Sequence, residues 1–320
     1  MNEWVKRNFH ETTELTNQKI VKVTNLITME GSLFSVIRAR RPLLKSSDNL
    51  GDIIKQRDAF CRPLASTPED AFGRIFGKYA LTAANIAKYD VFHSLIIFNE
   101  HDPFAISREK IKDSLSIGMK WAHMVQKEDP SARYYILIWN CLWRSGASIV
   151  HGHMQVTLSR GIHFAKVESL RRSAYNYYKK YGTDYFLDLW SVHHGLGLAW
   201  SHDAAKGLVY LCPIKEKELF LIIPEYNEDL LADEIFFMLD CYRSMKVESF
   251  NLALYLKPLK AGEEEDWSHF PCIVRLVDRG LLENRTNDIG AMELYASSVI
   301  SADPWDVMEA LNNTAKNKQN

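Results

Sequence analysis

Two histidines and a glutamine at alternate positions are the side chains of this chain best suited to chemistry. His151, His153 and Gln155 lie in the segment 148–158, whose other members are mostly apolar residues that strands tolerate. Because a strand turns successive side chains to opposite faces, residues spaced by two project from one side, about 6 to 7 Å apart. Gly152, between the histidines, lets another group approach the backbone closely. The segment predicts a strand that presents two imidazoles and an amide to a ligand.

These side chain types favour one kind of reaction. A neutral imidazole is a good nucleophile toward phosphorus when its other ring nitrogen donates to an acceptor such as a backbone carbonyl. The amide of Gln155 can donate a hydrogen bond to a phosphoryl oxygen but cannot deliver a proton. The leaving group should then be a stable anion, such as a sugar-1-phosphate or inorganic phosphate. The spacing therefore favours transfer or phosphorolysis over simple hydrolysis.

Chance offers a competing explanation for the two close histidines. The chain has 11 histidines in 320 residues, so pairs such as His193-His194 also arise, and many imidazoles are only hydrogen-bonded interior groups. Here, however, Gly146-Ala147-Ser148 precedes the histidines and a glutamine follows at the same spacing. An apolar strand is also predicted just upstream, at 134–139. This context makes coincidence the poorer account.

The segment resembles the His-x-His-x-Gln motif of the galactose-1-phosphate uridylyltransferase branch of the histidine-triad superfamily. Other segments follow the order of that family, which also resembles nucleotide-sugar and dinucleoside polyphosphate phosphorylases. They are Arg38-Ala39-Arg40-Arg41-Pro42, the segment 61–69, Tyr89-Asp90 with His93, and Asn99-Glu100-His101-Asp102. The similarity covers about residues 36–160 and is traceable, more weakly, through Glu293 to Asp303-Pro304.

The resemblance implies a nucleotidyltransferase with a covalent nucleotidyl-histidine intermediate. His153 matches the family histidine that carries the nucleotide, so it is the expected nucleophile toward the α-phosphate of a nucleotide sugar, with a hexose-1-phosphate as acceptor, as in UDP-glucose–hexose-1-phosphate uridylyltransferases. Asn140 and Ser148 stand where the family has an asparagine and a serine that face the phosphates. The Gly146-Ala147 backbone would also hold phosphate charge. Strand-end hydrogen bonding is the alternative role for Asn140 and Ser148.

Two arginines are further candidate phosphate ligands. Arg38 and Arg41 end at a proline, which fits a rigid turn that presents guanidinium groups to anionic oxygens. A solvated basic turn would have the same sequence, but the resemblance implies that these arginines lie near the phosphates and the nucleotide. Trp139 and Tyr89 could flank a base, although aromatic residues at strand positions are more often core.

The resemblance also implies a structural zinc site, from which this chain departs. Family members use a Cys-x-x-Cys pair, a loop histidine and the first histidine of the motif; here Asp58 replaces one cysteine. The expected ligands are Asp58, Cys61, His101 and His151, because zinc accepts oxygen, nitrogen and sulfur. Without a metal, His151 would support His153, and Cys61 would be an inert thiol.

The second half keeps less of the family pattern. Leu252 and Leu254 stand where some uridylyltransferases have a metal-binding histidine pair, so no second metal site is expected. Glu293 is kept as a sugar contact, but Val299 stands where a polar sugar contact would be expected. Galactose specificity is therefore not predicted.

Bulk properties exclude several classes of protein. A net charge of −1 offers no basic field, so nucleic-acid binding is not expected. No run reaches the roughly 18 to 20 apolar residues of a membrane span, and the segment 1–7 lacks the apolar core of a secretory signal. The five cysteines are scattered without Cys-x-x-Cys, which predicts reduced thiols and a cytoplasmic location.

Periodicity predicts an α+β protein with antiparallel strands. The resemblance implies two histidine-triad-like lobes, residues 1–185 and 186–320, each an antiparallel sheet packed with helices, and a homodimer. Predicted strands are 32–38, 93–98, 134–139, 149–158, 207–212, 219–223, 250–256 and 272–277, and predicted helices are 107–126, 164–181 and 228–246. Helical spacing over 1–30, a solvated loop at 260–267 and disorder after Asn312 are also expected.

Three alternative functions stay open. One is a nucleotide-sugar or dinucleoside polyphosphate phosphorylase, which would use inorganic phosphate and the same intermediate. Another is an inactive nucleotide-binding homologue, suggested by the missing cysteine and second-half histidines. A catalytic metal centre at the two histidines would need a further nearby carboxylate or histidine.

Overall fold

The computed structural model describes residues 19–35, 50–260, 262 and 265–319. Its strands are β1 (Val21–Thr24), β2 (Gly31–Phe34), β3 (Ala80–Ala84), β4 (Phe92–Phe98), β5 (Tyr134–Cys141), β6 (His153–Ser159), β7 (Ala199–His202), β8 (Ala205–Val209), β9 (Glu216–Ile223), β10 (Phe250–Tyr255), β11 (Cys272–Asp278) and β12 (Ser298–Ile300). Its helices are α1 (Leu50–Lys55), α2 (Pro63–Ser66), α3 (Arg108–Glu128), α4 (Ala165–Tyr181), α5 (Tyr185–Gly195), α6 (Glu228–Ser244), α7 (Ala291–Tyr295) and α8 (Pro304–Gln319).

Nine strands form one sheet in the order β3-β4-β6-β5-β10-β11-β9-β8-β7. The first-half order β3-β4-β6-β5 is mirrored by β8-β9-β11-β10, and β5 pairs with β10 antiparallel where the two halves meet. Along the chain, the long helix α3 lies between β4 and β5, and the long helix α6 lies at the corresponding place between β9 and β10. The predicted α+β class is confirmed, and the antiparallel strands of both halves join edge to edge. A domain boundary at 185/186 stays a prediction.

The long helices α3 and α6 cover one face of this sheet. The side chain of Ser107 begins α3 by accepting a hydrogen bond from Lys110 N at 3.3 Å, and Pro130 follows its end. Apolar residues spaced by three and four place one stripe of α3 in the core: Ile111, Leu115, Ala122 and Val125 are buried there. Because helix and sheet both turn apolar side chains to this interface, it forms the larger core of the protein.

The opposite face of the sheet is covered unevenly. Helices α4 and α5 pack over its second half and over Tyr134. Over its first half, Phe60 packs against Leu95 and Ile97. Between these two packed regions lies a half-buried central stripe of side chains, which the pairing of β5 with β10 brings together. It consists of Ile136, Ile138 and Asn140 on β5 and of Asn251 and Ala253 on β10.

Three local expectations are wrong. Residues 21–24 form β1, not a helix, because they pair with β2, and β2 also pairs in parallel with β12. The tail expected to be disordered continues α8 to Gln319, since Leu311 and Thr314 are buried on this helix. The loop expected to be solvated places Trp267 in the core. For the tail and the loop, distant segments cover residues whose local sequence is polar. None of the described helices has the length and apolar character of a membrane span.

Candidate active site

His153 and Gln155 lie on the same face of β6. Gln155 pairs with Leu95 on β4 and with Ile138 on β5. Its side chain therefore lies between Phe60, which packs against Leu95, and the central stripe that contains Ile138. The predicted strand begins only at His153; His151 lies in a bend before it. Strand alternation therefore places His153 and Gln155 on one face, whereas His151 lies beside Asp58, Cys61 and His101.

The ring of His153 has the hydrogen bonding that a nucleophile needs. Its Nδ1 lies 2.8 Å from the carbonyl oxygen of His151, which can only accept, so Nδ1 carries the hydrogen and Nε2 carries the lone pair. Phe60 packs edge-on against the ring, with centroids 5.1 Å apart, and the residue is 6% exposed. Burial lowers the pKa of His153, which favours the neutral ring.

The amide side chains of Gln155 and Asn140 are both engaged through their oxygens. Gln155 Oε1 lies 2.9 Å from His93 Nε2. Asn140 Oδ1 accepts from Asn251 Nδ2 at 2.7 Å across the β5–β10 pair. Two of the predicted site residues are therefore held by partners on neighbouring strands.

The turn after β5 corrects the expected phosphate contact. Gly146 takes a left-handed conformation with φ of 94° at the end of a 3-10 turn, and its N–H donates to Trp143 O at 3.0 Å. The N–H of Ala147 donates to Leu142 O at 3.3 Å. Both amides are used inside the turn, so they are not free donors for phosphate. Ser148 is exposed beside them.

The four predicted metal ligands come together. The ligand atoms of Asp58, Cys61, His101 and His151 all lie within 4.8 Å of one another. Cys61 Sγ is 3.3 Å from His101 Nδ1 and 3.6 Å from His151 Nδ1, and Asp58 Oδ1 is 3.9 Å from both Cys61 Sγ and His151 Nδ1. Zinc bonds of about 2.0 to 2.3 Å place tetrahedral ligand atoms about 3.3 to 3.8 Å apart. These four distances, 3.3 to 3.9 Å, are at or slightly above that spacing.

The outer hydrogen bonds of the cluster also suit a metal. His101 Nε2 donates to Ile54 O and His151 Nε2 donates to Phe98 O, each at 2.7 Å, so both Nδ1 lone pairs face the centre. Asp58 Oδ2 accepts from His151 N at 3.0 Å. Burial lowers the pKa of His151, which keeps its ring available as a neutral ligand. The residues present therefore fit a zinc ion.

Gly152 is needed for packing, and its neighbours are protein groups instead of the expected ligand. A Cβ at this position would lie 2.5 Å from Phe98 Cδ2 and 3.1 Å from Pro103 Cα. Gly152 N donates to His101 O and its carbonyl accepts from Phe98 N, at 3.1 and 3.0 Å. The glycine thus lets the segment 98–103, which contains His101, pack closely against the segment that contains His151.

We expect Gly152→Ala to destabilise the protein by about 1 to 3 kcal/mol, because Phe98 must move from a packed position. The measurement is the urea midpoint at constant slope. Gly195→Ala is the control, since a Cβ there meets nothing within 4 Å, and its effect should stay within about 0.5 kcal/mol. Equal midpoints for the two variants would contradict this account of Gly152.

A cavity of about 450 Å³ adjoins the Trp143–Gly146 turn and has a cationic wall. Arg279 donates two hydrogen bonds to the carboxylate of Asp288, at 2.8 and 2.9 Å. Lys215 Nζ and Arg144 Nη2 lie 3.7 and 4.0 Å from the same carboxylate. Three cationic groups thus share one anionic partner, and Arg144 and Arg279 line the cavity. An anionic ligand in this cavity would meet the guanidinium groups of Arg144 and Arg279.

The remaining predicted residues are less central. Glu293 lines a smaller adjoining cavity of about 110 Å³ together with Val299, and it accepts from Gly290 N at 2.9 Å. Trp139 is buried in the core, and Tyr89 is exposed and stacks on His93. Arg38 and Arg41 lie outside the described residues.

Three partners were missed at the level of sequence: Asn251, Arg279 and the role of His93. Asn251 and Arg279 had no motif to mark them, because only the pairing of β5 with β10 brings them to Asn140. His93 stood in a segment that follows the family order, but its spacing to Gln155 carried no signal of contact.

No protein-family model matches the chain, and no curated protein matches its sequence. It is similar in structure to an ADP-glucose phosphorylase from Arabidopsis thaliana with bound ADP-glucose, with TM-score 0.69 and 15% identity over 92% of this chain and 98% of that one. A galT-like protein from Arabidopsis thaliana has TM-score 0.67 and 16% identity, with 92% and 98% covered. A uridylyltransferase has TM-score 0.63 and 13% identity, with 93% and 99% covered. At this identity the matches establish the architecture, and the predicted resemblance is confirmed at that level: the chain has the fold of ADP-glucose phosphorylase and uridylyltransferase.

Proposed function

We propose that this protein is an enzyme, a nucleotidyltransferase that moves a nucleoside monophosphate from a nucleotide sugar to a hexose-1-phosphate through a covalent intermediate on His153. The observation that carries the proposal is the bond from His153 Nδ1 to His151 O, which leaves Nε2 as a fixed, unprotonated nucleophile. Solved proteins with this fold include a uridylyltransferase and an ADP-glucose phosphorylase. Nucleotides are therefore the ligand class to test first.

The first step needs no proton transfer. His153 Nε2 attacks the α-phosphorus, a nitrogen–phosphorus bond forms, and the bond from phosphorus to the bridging oxygen breaks. The sugar-1-phosphate leaves with that electron pair as a stable anion. The Nδ1 hydrogen stays on the ring, where His151 O stabilises the positive charge of the phosphorylated imidazole. Gln155, Asn140 and the Ser148 hydroxyl are proposed to donate to the phosphate oxygens.

In the second step an oxygen of an anionic acceptor attacks the same phosphorus, and the electron pair of the nitrogen–phosphorus bond returns to His153. The cavity beside Arg144 and Arg279 would hold the acceptor phosphate. Glu293 would contact the sugar from the adjoining cavity. The acceptor regenerates the free imidazole, so the enzyme returns to its starting state without a general acid.

A phosphorylase is the second candidate. The same cationic cavity suits inorganic phosphate as the acceptor, and an ADP-glucose phosphorylase shares the fold. The donor would then be a nucleotide sugar or a dinucleoside polyphosphate. Val299 adds an apolar side chain beside Glu293, and this weakens the case for a specific sugar pocket.

We propose that Asp58, Cys61, His101 and His151 bind a structural zinc ion. When bound, zinc would supply a rigid four-coordinate anchor for three chain segments. His151 would then hold its carbonyl oxygen, and with it the ring of His153, in a fixed position. A homodimer and a cytoplasmic location also belong to this proposal.

The test is intact-mass spectrometry after incubation with UDP-glucose, ADP-glucose or diadenosine tetraphosphate. We expect an increment of one nucleoside monophosphate with one of them, and the label should be acid-labile and base-stable. Glucose-1-phosphate should discharge the label in either case, because it reverses the first step. Discharge by inorganic phosphate supports phosphorolysis, and discharge by galactose-1-phosphate but not by inorganic phosphate supports transfer. Binding of these nucleotides without any label would contradict the enzyme and support an inactive nucleotide-binding protein.

A further inference from the structure

We propose that His93 and Asn251 are positioning residues, which turn the amide NH2 groups of Gln155 and Asn140 toward the phosphate oxygens of the same substrate. The inference rests on the proposed function, because it assigns a hydrogen-bond direction to two of its phosphate donors. Each amide ends a short relay of hydrogen bonds, and each relay starts from a group that can only donate.

The first relay starts at the backbone of Tyr89. Its N–H donates to His93 Nδ1 at 3.0 Å, so Nδ1 carries the lone pair and the hydrogen of a neutral ring is on Nε2. Gln155 Oε1 lies 2.9 Å from this Nε2 and accepts from it. Asn85 Nδ2 lies 3.1 Å from the same nitrogen. Because Asn85 Oδ1 accepts from Ala87 N, the Asn85 group that faces His93 is its NH2 group, which cannot accept the hydrogen on Nε2.

Burial and stacking hold the ring of His93 in place. It is fully buried on β4, and the Tyr89 ring stacks on it with centroids 4.6 Å apart. Burial lowers the pKa of His93, which agrees with a neutral ring. A flipped Gln155 amide would bring its own N–H groups against His93 Nε2–H, so that orientation is disfavoured. The Gln155 NH2 group is thus turned away from His93.

The second relay starts at Arg279, whose guanidinium has no acceptor. It donates to Asn251 Oδ1, and this bond fixes the orientation of the Asn251 amide. Asn251 Nδ2 then donates to Asn140 Oδ1 at 2.7 Å and to Ser145 O at 2.9 Å. The remaining end of Asn140 is its NH2 group.

The two relays serve one surface. Ile138 pairs with Gln155 across β5 and β6, and Asn140 lies two residues beyond Ile138 on the same face of β5. The two outward NH2 groups therefore lie on the face that carries His153. Phosphate oxygens only accept hydrogen bonds, so two amides fixed with donors outward match a phosphate without reorganisation during the reaction.

Asn251→Asp is the sharpest test, because it keeps an acceptor for Arg279 and replaces the donor that faces Asn140 by a carboxylate oxygen. Asn140 should then turn its NH2 group inward and present its oxygen to the phosphate. We expect the single-turnover rate of His153 labelling by UDP-glucose or ADP-glucose to fall about 10- to 100-fold. Asn313→Asp, on the exposed surface of α8, adds the same charge and should change the rate less than about twofold.

A double-mutant cycle tests the first relay. His93→Leu and Gln155→Leu should each slow labelling, and the double variant should be no slower than Gln155→Leu, because His93 acts only through Gln155. His93→Gln, which keeps an N–H donor and an acceptor, should recover part of the rate. A purely structural role for His93 predicts additive losses and no recovery, and that result would overturn the inference.

Two further outcomes separate this inference from the proposed function. If Gln155→Leu and Asn140→Leu label at the wild-type rate while His153→Ala does not label, the relays have no role and the nucleophile stands. If wild type takes no label, the readout is the calorimetric affinity for ADP-glucose and UDP-glucose. Asn251→Asp should weaken that affinity at least about fivefold through the reversed Asn140 amide, and unchanged affinity would then overturn the relays as well.

Discussion

His153→Ala is expected to abolish nucleotidyl transfer, with a loss of at least about four orders of magnitude in kcat. The reason is chemical: the variant has no atom that can form the covalent bond to phosphorus, and water or a direct attack by the acceptor must replace a fixed imidazole. The measurement is turnover of the donor that labels the wild type, together with intact-mass spectrometry. The variant should bind the donor and show no nucleotide increment.

Alanine at an unrelated histidine controls for this change. His123 is exposed on α3, which packs on the other face of the sheet, and His123→Ala should retain turnover within about twofold. The nucleophile assignment is wrong if His153→Ala keeps more than about a tenth of the wild-type rate, since loss of a covalent nucleophile cannot cost so little. It is also wrong if the nucleotide increment maps to another residue.

Cys61→Ala is expected to cause the largest loss of stability. Elemental analysis should find about one zinc per wild-type chain and almost none in the variant, because a thiolate is the strongest ligand of this set. Loss of the ion should lower Tm by about 10 °C, since metal binding free energy is also folding free energy. The measurement is calorimetric Tm with and without a strong chelator, which should lower the Tm of wild type but not of Cys61→Ala.

Two matched variants control for the metal site. Cys141 is a buried thiol outside the cluster, so Cys141→Ala should keep its zinc and lose only the packing of one sulfur atom. Asp58→Cys restores a second thiolate three residues before Cys61 and should hold zinc at least as tightly as wild type. A wild-type protein that stays metal-free after reconstitution with zinc, with a Tm unaffected by chelator, would refute the zinc proposal.

Metal loss and loss of the nucleophile should have different signatures. His151 contributes a side-chain ligand to the cluster and a backbone acceptor to His153. We therefore expect chelation to slow labelling by loosening the ring and to lower Tm by about 10 °C, while His153→Ala keeps its zinc and lowers Tm only by the loss of one buried ring. Activity alone does not separate these cases, but metal content and Tm do.

The sequence was sufficient where one element supplies both the pattern and its surroundings. Alternation of apolar residues predicted β4, β5, β10 and β11 within a few residues, and helical spacing predicted α3, α4 and α6. It failed for β1, which pairs with the neighbouring strand β2, and for the end of α8, whose burial depends on the distant helix α6.

Part of the site was also determined by the sequence alone. The types and spacing of His151, His153 and Gln155 predicted a phosphorus nucleophile beside a donor that cannot protonate a leaving group. The structure shows His153 with the orienting bond that this chemistry requires. Asp58, Cys61, His101 and His151 were likewise expected as one metal site, and their ligand atoms do converge.

Only the tertiary structure decided in which direction the hydrogen bonds of the site run. His93 is 62 residues from Gln155, and Asn251 is 111 residues from Asn140. These pairs meet because of strand order and register, which depend on how whole strands bury their faces and not on any local pattern. A glutamine or an asparagine in a sequence has a donor and an acceptor end, and only its folded neighbours select which end faces the substrate.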